Sequence, residues 1–195
     1  MDGILGLVGF SMVSSGTPGP NNILLWASGA AFGFRRTVPH VLGTALGLGA
    51  MTLAVAAGLG TLIEAVPGLA FAMKIAGSIY LLYLAYQIAG AGALERQEVS
   101  RPLNVLQAAA FQAINPKAWI FALGAVTTFR PEDLPMLLGT TTVALTMMLV
   151  IVPTAAVWAA AGDVLNRLLA GQRTRRIVSV GLAAIVVVSV VSVWL

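Results

Sequence analysis

The chain lacks cysteine altogether, has a single histidine and carries very little charge. Asp, Glu, Lys and Arg account for 9% of its 195 residues, whereas a soluble domain has roughly 25%. So little charge cannot cover a globular surface, which excludes a soluble enzyme and a disordered protein. The missing cysteines exclude disulfides, thiol redox chemistry and iron–sulfur clusters. With one histidine besides, we expect no metal site and no cofactor.

Acidic residues are scarcer than basic ones, but the excess is small and does not indicate nucleic-acid binding. Seven Asp and Glu stand against eleven Lys and Arg, which gives a net charge of +4. This surplus comes from a few arginines between apolar segments and not from a basic patch. We therefore expect a lipid bilayer and a small molecule as partners, and the sequence leaves a homo-oligomer open.

Apolar residues are abundant and occur in long runs. They make up 58% of the chain, and the mean hydropathy is +0.93. A bilayer-crossing helix needs about 20 apolar residues, so the length predicts about six crossings in one transmembrane domain over residues 1–195. The runs are too long and too uniform for barrel strands. The apolar segments cover residues 3–34, 41–63, 68–90, 103–129, 134–162 and 177–195. In the second, Gly43 and Gly47 have the spacing of close helix contacts within the chain.

The first and fourth segments are each interrupted near the middle. Residues 17–22 read Thr-Pro-Gly-Pro-Asn-Asn, and residues 115–117 read Asn-Pro-Lys. Pro18 and Pro116 lie 98 residues apart, each in the first span of a three-span half. Because three is odd, the second half enters the membrane from the opposite side. The pattern predicts an all-α integral membrane protein with six transmembrane helices in two inverted repeats, residues 1–95 and 100–195, whose first and fourth helices are broken.

Both interruptions lie roughly 20 Å into their helices, near the bilayer midplane. Proline cannot donate to the preceding turn, so the helix unwinds there and leaves backbone groups that need protein or water as partners. We expect Asn21 and Asn22 to cap the restarting first helix. The two new helix N-termini suit a carboxylate, and the carbonyls near Thr17 and Ile114 suit an ammonium group.

Lys117 strengthens the prediction of a binding site at the second interruption. A lysine at this depth costs about 3 kcal/mol on insertion scales, and no acidic residue lies at comparable depth in any span. The ammonium therefore invites an anionic substrate group. Two simpler interpretations stay open. In one, the first interruption is an ordinary proline kink; in the other, the second interruption is a loop between two shorter segments.

Five further polar residues each have a structural and a functional interpretation. Lys74 either snorkels to the outer interface or joins the site. Glu64 and Asp163 end their spans, where they are interface residues or the acidic candidates for proton coupling. His40 lies in a predicted loop, where it is expected to be solvated. Tyr80 lies deeper in the third span and needs a hydrogen-bond partner.

The arginines are unevenly distributed between the loops, which predicts the orientation. One side has eight of them, namely Arg35, Arg36, Arg96, Arg101, Arg167, Arg173, Arg175 and Arg176. The other side has Arg130. The arginine-rich side is expected to be cytoplasmic, so that with six spans both termini face outward. A re-entrant first segment would change this parity.

Three runs resemble the motifs of the lysine exporter family of translocators, which includes homoserine/threonine exporters. The family's signature is similar to Thr17-Pro18-Gly19-Pro20-Asn21-Asn22-Ile23-Leu24. Its third-span motif resembles Lys74-Ile75-Ala76-Gly77-Ser78-Ile79-Tyr80-Leu81, and its fourth-span motif resembles Asn115-Pro116-Lys117-Ala118. The order is the family's own, and the resemblance covers essentially the whole chain. The run from Gly124 to Phe129 is similar to the cysteine/O-acetylserine exporter branch.

This resemblance implies a secondary-active exporter of small amino acids in the bacterial inner membrane, driven by the proton gradient. It implies that the substrate site includes the matching positions Pro18, Gly19, Pro20, Asn21, Lys74, Tyr80, Asn115, Pro116 and Lys117, beside Thr17 and Asn22. Two other classes stay open. A membrane scaffold or assembly protein has no reason to place breaks and a lysine at the midplane, and a channel needs a continuous polar stripe or charged ring.

Overall fold

The computed structural model describes residues 2–59, 65, 68–90, 101–168 and 172–194. These residues are helical apart from short connections, and no strand occurs among them. The helices are α1 (Asp2–Gly16), α2 (Pro20–Phe32), α3 (Phe34–Ala54), α4 (Leu69–Gly90), α5 (Val105–Ile114), α6 (Pro116–Phe129), α7 (Met136–Leu168) and α8 (Gln172–Trp194). A π-helical turn, Val55–Leu59, follows α3.

Both predicted interruptions are real breaks between helices. The first separates α1 from α2, with extended backbone at Gly19 and Pro20 as the first helical residue. The second separates α5 from α6 at the single non-helical residue Asn115, and Pro116 begins α6. Proline is well suited to a first helical position, because the N–H it lacks has no intrahelical partner there. The prolines therefore start the second half of each broken helix.

Three helices extend further than the apolar segments indicate. α3 begins at Phe34, so Arg35, Arg36 and His40 lie in a helix and the prediction of a loop there is wrong. The connection from α2 is a single residue, Gly33, whose φ of 81° favours glycine. α7 continues past residue 162 to Leu168. α8 begins at Gln172 and so includes the arginines at its start. The arginines of these end turns whose side chains the structure describes are all exposed, as expected of charged residues near an aqueous boundary; they are Arg35, Arg36, Arg167, Arg173 and Arg176.

Close helix packing organises the bundle around α3 and α7. α1 and α2 lie along α7 in the same direction, since Ser15 contacts Thr154 and Ala30 contacts Asn166. A Cβ at Gly29 would overlap the carbonyl of Ala159, so only glycine fits there. α5 lies along α3 in the same way. The added Cβ of Gly43 would meet Val105 and Ala108, and that of Gly47 would meet Ala109. The predicted role of these two glycines, close packing inside the chain, is confirmed.

The exterior of the bundle is strongly apolar. Large side chains such as Leu106, Leu137 and Leu149 expose three quarters or more of their surface. Among the described residues, the helices over Phe34–Gly58 and Met136–Leu168 are each long and apolar enough to cross a membrane by length and composition. The halves of the broken helices are individually shorter than the roughly 20 residues that a crossing needs. An apolar exterior of this kind fits lipid as the surrounding solvent.

Candidate functional site

A small cavity lined by both polar and apolar residues lies where the two helix breaks meet. Its volume is about 50 Å³, which is room for a few water molecules. Polar groups come from both breaks and from α3, α5 and α7, and apolar groups close the remaining sides. The lining consists of Ser14, Ser15, Gly19, Asn21, Asn22, Thr44, Leu48, Gln112, Asn115, Lys117, Ala118, Phe121, Ile151, Thr154 and Ala155.

Lys117 joins the second break to the first. Its Nζ donates to the carbonyl oxygen of Thr17 at 2.8 Å, to the hydroxyl of Thr17 at 2.8 Å and to the carbonyl oxygen of Pro18 at 3.3 Å. The side chain lies directly against Gly19, where an added Cβ would be 2.9 Å from Cδ of the lysine. A larger residue at position 19 would therefore push the ammonium away from the break. Lys117 is the one charged side chain among the described residues that line the cavity.

The two asparagines after the first break do not cap α2, so that prediction is wrong. The N-cap residue is Gly19, and no side chain caps this end. Instead Asn22 turns back and its Nδ2 donates to the carbonyl oxygens of Ser15 and Thr17, at 2.7 and 2.8 Å. Asn22 thereby holds the unwound carbonyls in place. Asn21 points towards the other half of the chain.

A buried chain of amide side chains runs from α3 to the second break. Oδ1 of Asn21 accepts from Thr44 at 3.2 Å and from Nε2 of Gln112 at 2.9 Å. Oε1 of Gln112 accepts from Nδ2 of Asn115 at 3.2 Å. Oδ1 of Asn115 is buried with no hydrogen-bond partner among the described residues. Buried acceptors normally have a hydrogen-bond partner, so this oxygen is available to accept a hydrogen bond from a ligand.

Sequence reasoning missed several residues of this network. Gln112 lies three positions before Asn115, and an amide side chain close to the second break in a largely apolar helix was the available signal. Ser15 and Thr154 form a second polar pair in the lining, with 2.9 Å between their hydroxyl oxygens. Thr44 carries no signal of this kind, because threonines occur throughout the spans. It lines the cavity and bonds to Asn21.

The carbonyls at residues 113 and 114 of the second break are either hydrogen-bonded or covered by a neighbouring helix. The carbonyl oxygen of Ala113 accepts from the indole N–H of Trp119 at 2.9 Å. The carbonyl oxygen of Ile114 faces Gly77 of α4, and a Cβ added there would lie 2.8 Å from it. Between the two breaks, the first therefore offers the accessible carbonyls, and these are the ones that Lys117 contacts.

Of the remaining predicted site residues, the two that the structure describes, Lys74 and Asp163, do not line the cavity. Lys74 is exposed on α4, with its Nζ 5.9 Å from the ring centre of Trp194. The side chain of Tyr80 and the whole of Glu64 lie outside the described residues. Asp163 accepts from two groups of Arg167 and from the backbone N–H of Phe34, which ties it to the start of α3.

His40 differs most from its prediction. It exposes 1% of its surface and lies inside α3, so the expectation of a solvated loop residue is wrong. Its burial follows from the early start of α3, which places Thr37, His40 and Thr44 on one buried face.

Fold and site together define a class of protein. An all-helical bundle with an apolar exterior, two broken helices and a polar cavity at their meeting point is the architecture of a membrane transporter.

Comparison with known proteins gives the family. The profile of the LysE type translocator family matches residues 12–193, and the chain belongs to this family. Members are transporters and not enzymes. Curated relatives include the cysteine/O-acetylserine efflux protein of Salmonella typhimurium (strain LT2), 28% identical over 120 residues, which are 62% of each chain. The protein of the same name from Escherichia coli (strain K12) is 26% identical over 160 residues, 82% of each chain. No solved structure matches.

Proposed function

We propose that this protein exports small neutral amino acids from the bacterial cytoplasm through the cavity between its two helix breaks. The observation that carries the proposal is Lys117, a cation in a lining that has no described acidic residue. Such a cavity attracts an anionic group. A zwitterionic amino acid supplies a carboxylate as this anion, together with its own ammonium group. The family membership and the printed names of the curated relatives support amino acids as the substrate class.

The substrate carboxylate would bind Lys117. An ammonium group has three donors, and all three are engaged with Thr17 and Pro18 in the described arrangement. A carboxylate therefore takes at least one donor away from the first break. The carbonyls released at Thr17 and Pro18, together with the unpartnered oxygen of Asn115, then offer acceptors for the substrate ammonium. Substrate binding thus exchanges a contact between the two halves of the chain for contacts to the ligand.

The remaining motif residues would shape this site. Pro20 and Pro116 start the helices whose N-termini flank the cavity. Gly19 leaves room for the lysine, and Asn21 and Asn22 fix the amide network and the unwound carbonyls. Lys74 and Tyr80 enter the proposal through the family motif alone. Lys74 would act from α4, whose Gly77 contacts the second break.

The size of the cavity favours small substrates. A volume of about 50 Å³ holds water but closes too tightly around a whole amino acid, so the cavity must widen on loading. Movement of the lysine ammonium away from Thr17 opens space on the side where a carboxylate would bind. Cysteine, O-acetylserine, serine, threonine and homoserine are the candidates, because their short polar side chains suit the hydroxyl pair of Ser15 and Thr154.

We propose six membrane spans in two inverted repeats, with each broken helix counted as one span. The helix pairing supports this arrangement. The first span (α1 and α2) lies along the fifth (α7), and the fourth span (α5 and α6) lies along the second (α3). Exchange of the two three-span halves converts one of these pairs into the other. Rocking of one half against the other would then give alternating access.

The proposed orientation has the arginine-rich side in the cytoplasm and both termini outside. Arg35 and Arg36 at the start of α3 are exposed, as are Arg101, Arg167 and Arg173. Export against a gradient needs an energy source, and the proton gradient is the proposed one. The acidic candidates for this coupling are Asp163, which is bonded to Arg167, and Glu64.

Uptake into inverted membrane vesicles tests the proposal. Vesicles containing the protein are given radiolabelled serine, threonine, cysteine or lysine with an imposed proton gradient. Accumulation of one or more of the neutral amino acids, abolished when the gradient is collapsed, is the expected result. Vesicles from cells without the protein are the control. Equal uptake in the two preparations for every amino acid would refute amino-acid export and favour a scaffold.

A further inference from the structure

His40 is buried in the bundle, and none of the described residues bonds to its ring. It exposes 1% of its surface, and neither Nδ1 nor Nε2 has a hydrogen-bond partner among the described residues. Burial of two unsatisfied nitrogens is costly, and an apolar side chain of similar size would avoid that cost. The imidazole is therefore poorly explained as a packing residue.

The position of His40 connects it with the cavity. Thr37 and Thr44 lie about one turn before and after it on α3, and both face α2, through Ser28 at 3.1 Å and Asn21 at 3.2 Å. Thr44 also donates to the carbonyl oxygen of His40 at 3.0 Å, and it lines the cavity together with Asn21. His40 thus lies one helical turn along α3 from Thr44 of the cavity wall, on the side towards the arginine-rich end of the helix.

Few other charges lie on the elements packed against this part of α3. α2 and α5 contain no titratable residue. On α6, Lys117 is bonded to Thr17 and Pro18, and on α7, Asp163 and Arg167 are bonded to each other. Exposed cations complete the set, namely Arg35 and Arg36 on α3 itself and Arg101 before α5. Because Lys117 and the arginines already carry their protons, the groups in this described set that can gain one are His40 and Asp163, and only His40 can do so without breaking an ion pair.

We propose that His40 is the site that binds the coupled proton, and that its protonation excludes the substrate ammonium from the cavity. An imidazole that takes up a proton gains a full positive charge. The substrate ammonium would bind at the carbonyls of Thr17 and Pro18 and at the unpartnered oxygen of Asn115, and the low dielectric of a protein interior strengthens its repulsion by a second cation at His40. The protein would then hold either a proton or an amino acid, which is the requirement for exchanging one for the other across the membrane.

This inference rests on the proposed function, and it makes a quantitative demand on binding. If protonation of His40 lowers the affinity for substrate by a given factor, bound substrate must lower the affinity of His40 for a proton by the same factor. With a single proton site, the substrate Kd therefore rises at most about tenfold for each unit by which the pH falls. A site in which the histidine only packs shows neither effect.

The single histidine of the chain allows a direct test. Protein without a histidine tag, labelled with 15N-histidine and reconstituted in lipid, gives one imidazole signal whose shifts report its protonation. We expect the ring to gain a proton as the pH is lowered, and the imidazolium fraction at a fixed pH to fall when a transported amino acid is added. A ring that stays neutral at every pH at which the protein accumulates amino acid, or whose protonation does not change with substrate, would overturn the inference.

Transport in proteoliposomes supplies the second arm. We expect His40→Gln to keep counterflow, the exchange of labelled for unlabelled amino acid without a proton gradient, and to lose accumulation driven by the gradient. Thr52→Val, a buried polar change on the same helix that does not line the cavity, controls for disturbed packing. Asp163→Asn and Glu64→Gln test the competing candidates, and loss of gradient-driven accumulation in one of these variants with His40→Gln unaffected would overturn the inference.

The two proposals fail in different ways. Absence of counterflow in the parent protein for every amino acid contradicts amino-acid export itself. Counterflow in the parent together with full gradient-driven accumulation by His40→Gln contradicts only the role of the histidine. If His40→Gln does not fold, the 15N titration of the parent protein decides the question.

Discussion

Replacement of Lys117 by methionine removes the charge from the cavity while keeping a long unbranched side chain. The fold should persist, because Asn22 still holds the carbonyl oxygens of Ser15 and Thr17. What is lost is the partner of the substrate carboxylate. A hydrogen bond to a charged group contributes about 1.5–3 kcal/mol, which corresponds to roughly a 10- to 150-fold change in affinity.

The structure favours the lower end of that range. Lys117 is only half-buried, so solvent screens part of its interaction with a carboxylate. In the parent protein the ammonium must also give up a bond to Thr17 or Pro18 before it can bind substrate. We therefore expect KM for the transported amino acid to rise about tenfold in Lys117→Met, with the smaller share of the effect on the maximal rate.

Counterflow in proteoliposomes measures this change at matched protein density, with thermal unfolding in detergent as a check that the variant is folded. Arg173→Gln controls for the loss of one positive charge, because Arg173 is an exposed cation that does not line the cavity. Parent-like KM and rate in a folded Lys117→Met protein would refute the assignment of the carboxylate to this lysine.

Three further changes test the packing and the limits of the site. Gly29→Ala places a methyl group on the carbonyl of Ala159, so we expect a loss of about 1–3 kcal/mol in the free energy of unfolding, measured against Gly9→Ala, where the added Cβ meets nothing. Asn22→Ala removes both bonds to the unwound carbonyls and should cost about 1–3 kcal/mol in the same assay. An unchanged melting curve in either variant would contradict the contacts described. Lys74→Met should leave KM close to that of the parent protein, because Lys74 lies against Trp194 and does not line the cavity. A rise in KM as large as that of Lys117→Met would place Lys74 in the transport path, as the family motif implies.

The positions of the helix breaks could be predicted because proline acts locally. Pro18, Pro20 and Pro116 each remove a backbone donor whatever surrounds them, and the breaks occur at these residues. The amide network could not be predicted in the same way. Asn21 and Asn22 have the residue type of helix caps, but Gly19 is the N-cap residue, and their amides bond to distant groups. Those partners exist only after the two halves of the chain pack together.

The burial of His40 was beyond sequence reasoning for a related reason. Two arginines before it indicate a loop at the membrane surface, yet a one-residue turn at Gly33 starts α3 early. Thr37 then bonds to Ser28 of α2, which fixes the face of α3 that turns inward. A local pattern of charge does not reveal such a contact between helices. The histidine is accordingly the part of the molecule whose proposed role depends most on the three-dimensional arrangement.

The most direct test of the binding site is the distance between Lys117 and the carboxylate of a bound amino acid. The chain has only two lysines, Lys74 and Lys117, so 15N-lysine labelling with a Lys74→Arg background leaves one Nζ signal for solid-state NMR. With a transported amino acid labelled by 13C at its carboxyl carbon, we expect dipolar coupling that corresponds to about 3–4 Å, as in a charge-assisted hydrogen bond. Saturating substrate with no measurable coupling to that nitrogen would contradict the account.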